Sequence, residues 1–68
     1  MSTTSTWTVT GMTCAHCVAS VTEEIQEIDG VESVAVDLPT GAVTVTSAQP
    51  LDRTAVGAAV EEAGYDLA

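Results

Sequence analysis

The sequence predicts an α+β fold with the element order β-α-β-β-α-β. Short stretches in which polar and apolar residues alternate predict strands, because successive side chains of a strand face opposite sides of the sheet. Two stretches carry apolar residues at spacings of three and four, which is typical of a helix with one buried face. Glycines and prolines separate these stretches and mark the turns between them.

The first half of the chain predicts a strand followed by a helix. Trp7 and Val9 alternate with threonines on either side, which indicates a strand over 6–10 with one buried face. The helix that follows has its apolar stripe at Val18, Val21, Ile25 and Ile28. Asp29 and Gly30 are predicted to end this helix, since glycine adopts the left-handed backbone conformation common after a helix C-terminus.

The second half predicts a hairpin, a helix and a short last strand. Two alternating stretches flank the turn residues Pro39, Thr40 and Gly41 and are expected to pair as antiparallel strands. Their apolar residues are Val34, Val36 and Leu38 in one strand and Val43 and Val45 in the other. Asp52 is the expected N-cap of the second helix, and Gly64 its expected end. The stripe of that helix is Ala55, Val56, Ala59, Val60 and Ala63, and residues 65–68 form the last strand.

This order is the ferredoxin-like arrangement of two split βαβ halves. Each predicted strand has one apolar face and one face rich in Thr or Ser, so both helices are expected on one side of a four-stranded antiparallel sheet. The 68 residues allow one domain, 1–68. Residues 1–5 are rich in Ser and Thr and are expected to fray.

The charge is strongly unbalanced, with ten acidic residues, one base (Arg53) and a formal net charge of −9. Nucleic-acid binding is disfavoured because phosphate contacts need Lys and Arg, and binding to anionic membranes is disfavoured for the same reason. A basic protein partner or a cationic ligand remains compatible. No apolar run approaches the roughly 18 residues of a membrane span, and the N-terminus lacks the features of a secretory signal. We therefore expect a cytoplasmic protein with reduced thiols.

Both cysteines lie in the segment from Gly11 to Cys17, at the predicted junction of the first strand and the first helix. Cys14 is expected in the loop and Cys17 in the first helical turn, so the two sulfurs can converge. The helix N-terminus favours thiolates, which are ligands for soft ions such as Cu(I) or Zn(II). Two sulfurs are too few for a structural zinc site, which normally has four ligands, and therefore indicate a shallow site with open coordination positions.

Other interpretations of the cysteine pair are compatible with its spacing. A thioredoxin-type redox dithiol also uses this spacing, although the element order and the placement of Pro39 and Pro50 in turns argue against it. A structural disulfide would close only a very small loop and would stabilise little. Ordinary buried cysteines are disfavoured by the position of the pair in a loop with Thr13 and His16.

The sequence G-M-T-C-A-H-C at residues 11–17 resembles the metal-binding motif of the heavy-metal-associated domain family. The resemblance extends from the first strand to Tyr65. In its length, the chain is similar to bacterial cytosolic copper chaperones. The resemblance implies that Cys14 and Cys17 bind Cu(I) and transfer it, without catalysis, to the metal-binding domain of a copper-transporting P-type ATPase. A domain belonging to such an ATPase and a thiol–disulfide redox protein are the alternatives. The expected protein is a monomer without metal, and copper excess could bridge two copies.

Residues of the motif and Tyr65 refine the expected site. Thr13 resembles the copper-type version of the motif, whereas zinc-exporting relatives often have Asp there and mercury-binding relatives share the Thr. Met12 is expected to pack in the core under the loop rather than to ligate. His16 is expected to be exposed and close enough to tune the thiolates or to contribute a ligand in a metal-bridged assembly. The resemblance also implies that Tyr65 lies beside the loop of the motif, residues 11–17, and shields the metal there.

Overall fold

A computed structural model describes residues 2–68 and contains four strands and two helices in the predicted order. The strands and helices, in chain order, are β1 (Thr3–Thr10), α1 (Ala15–Gln26), β2 (Val31–Asp37), β3 (Ala42–Ser47), α2 (Arg53–Glu62) and β4 (Asp66–Leu67).

The strands form one antiparallel sheet in the order β2-β3-β1-β4. β3 lies in the centre and pairs with β1 from Thr3↔Ser47 to Thr8↔Ala42, and with β2 on its other side. β4 adds only two pairs to β1, Val9↔Leu67 and Thr10↔Asp66. The predicted ferredoxin-like α+β fold is confirmed, and it places the β1–α1 loop at the same end of the molecule as the start of β4.

The core lies between the sheet and the two helices. Both helices place their buried residues at a spacing of four, and the strands place theirs at a spacing of two, as the apolar pattern predicts. The fully enclosed hydrophobic side chains are Val9, Val21, Ile25, Val43, Val45, Val56 and Val60. The Asp52 carboxylate accepts a hydrogen bond from the Thr54 backbone N–H at 3.2 Å, which confirms the predicted N-cap of α2.

Three element boundaries differ from the prediction. β1 begins at Thr3, so the expected fraying of residues 1–5 is wrong for Thr3, Thr4 and Ser5, which pair with β3; Met1 lies outside the described residues. α1 ends at Gln26, although Ile28 still packs against the core. β4 is limited to Asp66–Leu67 rather than residues 65–68.

Gly41 fixes the geometry where the β2–β3 turn meets the end of β1. Its φ of 76° lies in the left-handed region, and a Cβ atom at this position would lie 2.5 Å from the Val9 carbonyl oxygen. The Gly41 carbonyl in turn accepts a 2.9 Å hydrogen bond from the Val9 N–H. Glycine therefore allows the β2–β3 turn to lie directly against the end of β1.

The side of the sheet away from the helices carries a uniform, uncharged surface in its middle. We call it the open face, and it consists of Thr4, Thr6, Thr8, Thr10, Ala35, Ala42, Thr44 and Thr46. β-branched threonines suit this half-exposed position because their methyl groups cover the strands while their hydroxyls contact water. Across residues 2–68, no helix has the length and apolar character needed to cross a membrane.

Candidate metal-binding site

The two cysteines lie at the N-terminus of α1, as predicted. Cys14 is the N-cap residue, with an extended backbone (φ −154°, ψ 169°), and its carbonyl accepts hydrogen bonds from the N–H groups of Cys17 and Val18 at 3.1 and 3.2 Å. Cys17 lies in the first turn and is buried, whereas Cys14 is exposed; both are free thiols. The loop therefore combines one accessible and one enclosed sulfur.

The sulfurs are close enough to interact directly. The Cys14 and Cys17 Sγ atoms are 3.2 Å apart, and the Thr13 Oγ1 atom lies 4.0 Å from the Cys17 Sγ. The Cys14 side chain makes no capping bond to a backbone N–H of the helix, so its contact with the first turn is the one to the Cys17 sulfur. Convergent sulfurs at a helix N-terminus can bind one soft cation or, on oxidation, form a disulfide.

Cys17 is the sulfur that its surroundings favour as a thiolate. Hydrogen bonding from the Thr13 backbone, from the Tyr65 side chain and from the Cys14 side chain lowers the pKa of Cys17 from 9.0 to about 6, although burial opposes this shift. The same hydrogen bond from Tyr65 to Cys17 raises the pKa of the Tyr65 hydroxyl. The lowered pKa favours the thiolate form of Cys17 at neutral pH.

Tyr65 lies beside the loop that carries the cysteines, with its ring close to Gly11. Gly11 has a φ of 93°, and a Cβ atom there would lie 3.4 Å from the Tyr65 Cδ1 atom. Tyr65 is half-buried and lies three residues after the end of α2, where its N–H donates to the Val60 carbonyl at 3.1 Å. Its position next to Cys17 agrees with the predicted location, while the shielding role remains a prediction.

The other two auxiliary candidates occupy different environments. Met12 is half-buried and packs against the hydrophobic core, as expected for a residue under the loop. His16 is exposed on the first turn of α1. In residues 2–68, no group of three or more His, Cys, Asp or Glu side chains is arranged to hold a metal ion.

Thr13 contributes more than the sequence indicated. The sequence indicates only a metal preference for Thr13, whereas a hydrogen bond from its backbone is the largest single cause of the lowered pKa of Cys17. Its place immediately before the N-cap is the signal for this role, because backbone groups at a helix N-terminus lack partners within the helix and are available to a nearby sulfur.

The lowered pKa predicts how the stability of the reduced, metal-free protein depends on pH. The folded state favours the Cys17 thiolate, so this group contributes its full stabilisation above the unfolded pKa of 9.0 and loses it as the pH falls toward about 6. Urea denaturation should therefore show an unfolding free energy that rises from about pH 6 to about pH 9.

Two variants identify the group responsible for this rise. Cys17→Ser should lack the dependence on pH, and Tyr65→Phe should move the onset of thiolate absorbance to higher pH because it removes one donor. A parent protein whose thiolate absorbance appears only near pH 9 would contradict the assignment.

Comparison with known proteins agrees with the fold and the cysteine pair. The family model described as "Heavy-metal-associated domain" matches residues 6–66, and the chain belongs to this family. It is 41% identical over 61 residues to the copper chaperone CopZ of Bacillus subtilis (strain 168), with 88% of each chain covered.

The chain is also similar to part of a much longer protein and to a solved structure of its own size. The chain is 41% identical over 59 residues to Copper-transporting ATPase 1 of Rhizobium meliloti (strain 1021). The matched region covers 87% of this chain but only 7% of the ATPase. A solved structure titled "CopZ metallochaperone" superposes with a TM-score of 0.89 at 33% identity, covering 97% of this chain and 100% of the other.

Proposed function

We propose that this chain binds Cu(I) through Cys14 and Cys17 and transfers it to the metal-binding domain of a copper-transporting P-type ATPase. The observation that carries the proposal is the convergence of an exposed and a buried sulfur, 3.2 Å apart, at a helix N-terminus. Similarity to named copper chaperones and to copper-transporting ATPases supports copper as the cargo.

The sulfur separation indicates how the site adapts to the ion. With metal–sulfur bonds of about 2.3 Å, the length typical of Zn–S, sulfurs 3.2 Å apart would subtend an angle of about 90° at the metal. A linear two-coordinate ion would need the sulfurs about 4.6 Å apart. Cys14 is exposed and makes no capping bond, so it is the sulfur that moves outward.

The same asymmetry suits transfer between proteins. An ion held between a buried and an exposed sulfur remains reachable from the Cys14 side, where a thiolate of the partner can add as a third ligand. The ion then leaves as the bonds to Cys14 and Cys17 break in turn, so it is never released into water. Soft thiolate ligands on both proteins favour Cu(I) over harder cations.

Acidic residues near one another on the two helices are the proposed recognition surface. We call Glu23, Glu24, Glu27 and Glu62 the acidic patch. Burial and repulsion from the other three carboxylates raise the pKa of Glu24, which indicates that these negative charges are close enough to interact. A partner domain with Lys or Arg around its own metal site would relieve this repulsion on docking.

The proposed compartment is the cytoplasm, where reducing conditions keep both thiols free for metal. The same geometry would also serve a metal-binding domain within a copper-transporting ATPase, and the similarity to Copper-transporting ATPase 1 supports that alternative.

Copper binding and redox activity are separated by two measurements on the reduced protein. We expect one Cu(I) per chain in competition with a Cu(I) chelator, and transfer of that ion to the N-terminal domain of a copper ATPase. The alternative, a thiol–disulfide redox protein, draws support from the short sulfur separation and the Cys17 thiolate. A strongly oxidising dithiol potential together with copper binding no tighter than that of a short dithiol peptide would favour the redox function.

Excess copper is predicted to link two copies of the chain. The metal-free protein is expected to be a monomer, because each chain has a net charge of −9. An ion bound by two sulfurs retains open positions, which Cys14 or the exposed His16 of a second copy can fill. Sedimentation velocity at rising copper loading should show dimers, reduced in His16→Ala; a strict monomer beyond one ion per chain would contradict the bridge.

A further inference from the structure

We propose that Arg53 is a positioning residue for the metal site, because it holds β4 against the sheet and thereby keeps Tyr65 beside Cys17. This inference rests on the proposed function for its effect on copper. Its structural basis lies outside the cysteine loop and is independent of metal.

β4 has little hold of its own on the sheet. Its two residues pair with Val9 and Thr10, and the remaining contacts are the Ala68 N–H to the Thr8 carbonyl at 2.8 Å and the Thr10 hydroxyl to the Asp66 carbonyl at 3.3 Å. Most strands in folded domains are longer than this, and a two-residue strand depends on contacts outside the ladder.

Arg53 supplies such a contact from the first residue of α2. Its Nη2 atom donates to the Ala68 carbonyl at 2.7 Å, a short hydrogen bond with a charged donor. Farther along α2, Leu67 lies over Gly57, where an added Cβ atom would be 3.8 Å from the Leu67 Cδ2 atom. β4 is therefore attached to α2 as well as to β1, and no second Lys or Arg exists in the sequence to replace Arg53.

Tyr65 connects β4 with the loop that carries the cysteines. It immediately precedes β4, and its ring lies beside Gly11, at the start of the loop that carries the cysteines. The lowered pKa of Cys17 and the raised pKa of Tyr65 agree with a hydroxyl close to the Cys17 sulfur. Its backbone is held at the α2 side by the bond to the Val60 carbonyl, so the other side of the segment is held only through β4. Loss of the Arg53 bond leaves β4 held only by its short pairing with β1 and by the contact of Leu67 with α2, so the ring of Tyr65 should leave the loop more often.

The test uses Arg53→Gln, with Arg53→Lys as the conservative variant that keeps a charged donor. Removal of Cu(I) by a chelator should be about three- to tenfold faster in Arg53→Gln, the range for losing one exposed charge-assisted hydrogen bond. Arg53→Lys should recover most of the parent rate. In a Tyr65→Ala background, Arg53→Gln should add no further acceleration, because the group that it positions is gone.

A metal-free measurement keeps this inference separate from the proposed function. The chain has a single tyrosine, so the NMR signals of the Tyr65 ring are unambiguous, and their cross-peaks to the Gly11 α protons should weaken in Arg53→Gln. Equal acceleration with and without Tyr65, or unchanged Tyr65–Gly11 cross-peaks, would overturn the positioning role. Failure of the parent to bind copper, with the NMR change present, would instead refute only the proposed function.

Discussion

Replacing either cysteine with serine is expected to weaken Cu(I) binding by roughly 100-fold or more, equivalent to about 2.8 kcal/mol or more. Cys14→Ser and Cys17→Ser each leave one cysteine sulfur, and in the part of the chain that the structure describes no His, Cys, Asp or Glu joins the pair in a group of three that could hold a metal ion. A hydroxyl is a hard, neutral donor that does not replace a thiolate for a soft ion. Competition with a Cu(I) chelator under reducing conditions measures the loss.

A relocated thiol provides the matched control for this prediction. Cys17→Ser combined with Ser20→Cys restores the number of thiols but places the second sulfur one turn farther along α1. This variant should bind as weakly as Cys17→Ser alone, because the sulfurs no longer converge at the helix N-terminus. Recovery of the parent affinity would show that thiol content matters and that the geometry of the pair does not.

Reversing two charges of the acidic patch is expected to slow copper transfer while making the protein more stable. In Glu23→Lys/Glu27→Lys, attraction between oppositely charged domains is lost, and the transfer rate to a basic partner domain should fall about tenfold at low salt. Lys in the C-terminal half of α1 interacts favourably with the helix dipole and with Glu24, so the unfolding free energy should rise by about 0.5–1 kcal/mol. The Cu(I) affinity should remain nearly unchanged.

Two single variants distinguish the effect of where a charge lies from the effect of the net charge of the protein. Glu27→Lys and Glu32→Lys change the net charge equally, but Glu32 lies in β2, outside the acidic patch. Stopped-flow transfer should be slower for Glu27→Lys than for Glu32→Lys, and the difference should disappear as salt screens the charges. Equal rates for the two variants would mean that the acidic patch does not guide docking.

Periodicity and a local motif were sufficient to predict the fold and the cysteine pair. Apolar spacing reports which side chains are buried, and for Val21, Ile25, Val56 and Val60 burial and helical structure coincide. Burial and helical structure do not coincide at Ile28, which packs against the core although α1 has already ended at Gln26. The predicted helix was too long because burial of a side chain does not require its backbone to be helical.

The arrangement around the cysteines depends on contacts between distant parts of the chain. The location of Tyr65 beside the cysteine loop is expected from the family resemblance rather than from a local pattern, and the bond from Arg53 to Ala68 follows from neither. Similarly, the alternation in the first strand indicated a start near residue 6, but pairing with β3 extends β1 back to Thr3. Such features arise from tertiary packing, which overrides local preference.

The open face also determines how the molecule behaves in an electric field. Its threonines and alanines are uncharged, whereas the acidic patch and Glu61 lie on the helices across the sheet. Five acidic residues lie on or just after the helices, against two, Asp37 and Asp66, that pair with residues of the open face, so negative charge is denser on the helix side of the sheet. Near a positively charged surface it should orient with its helices inward and its threonines toward bulk water.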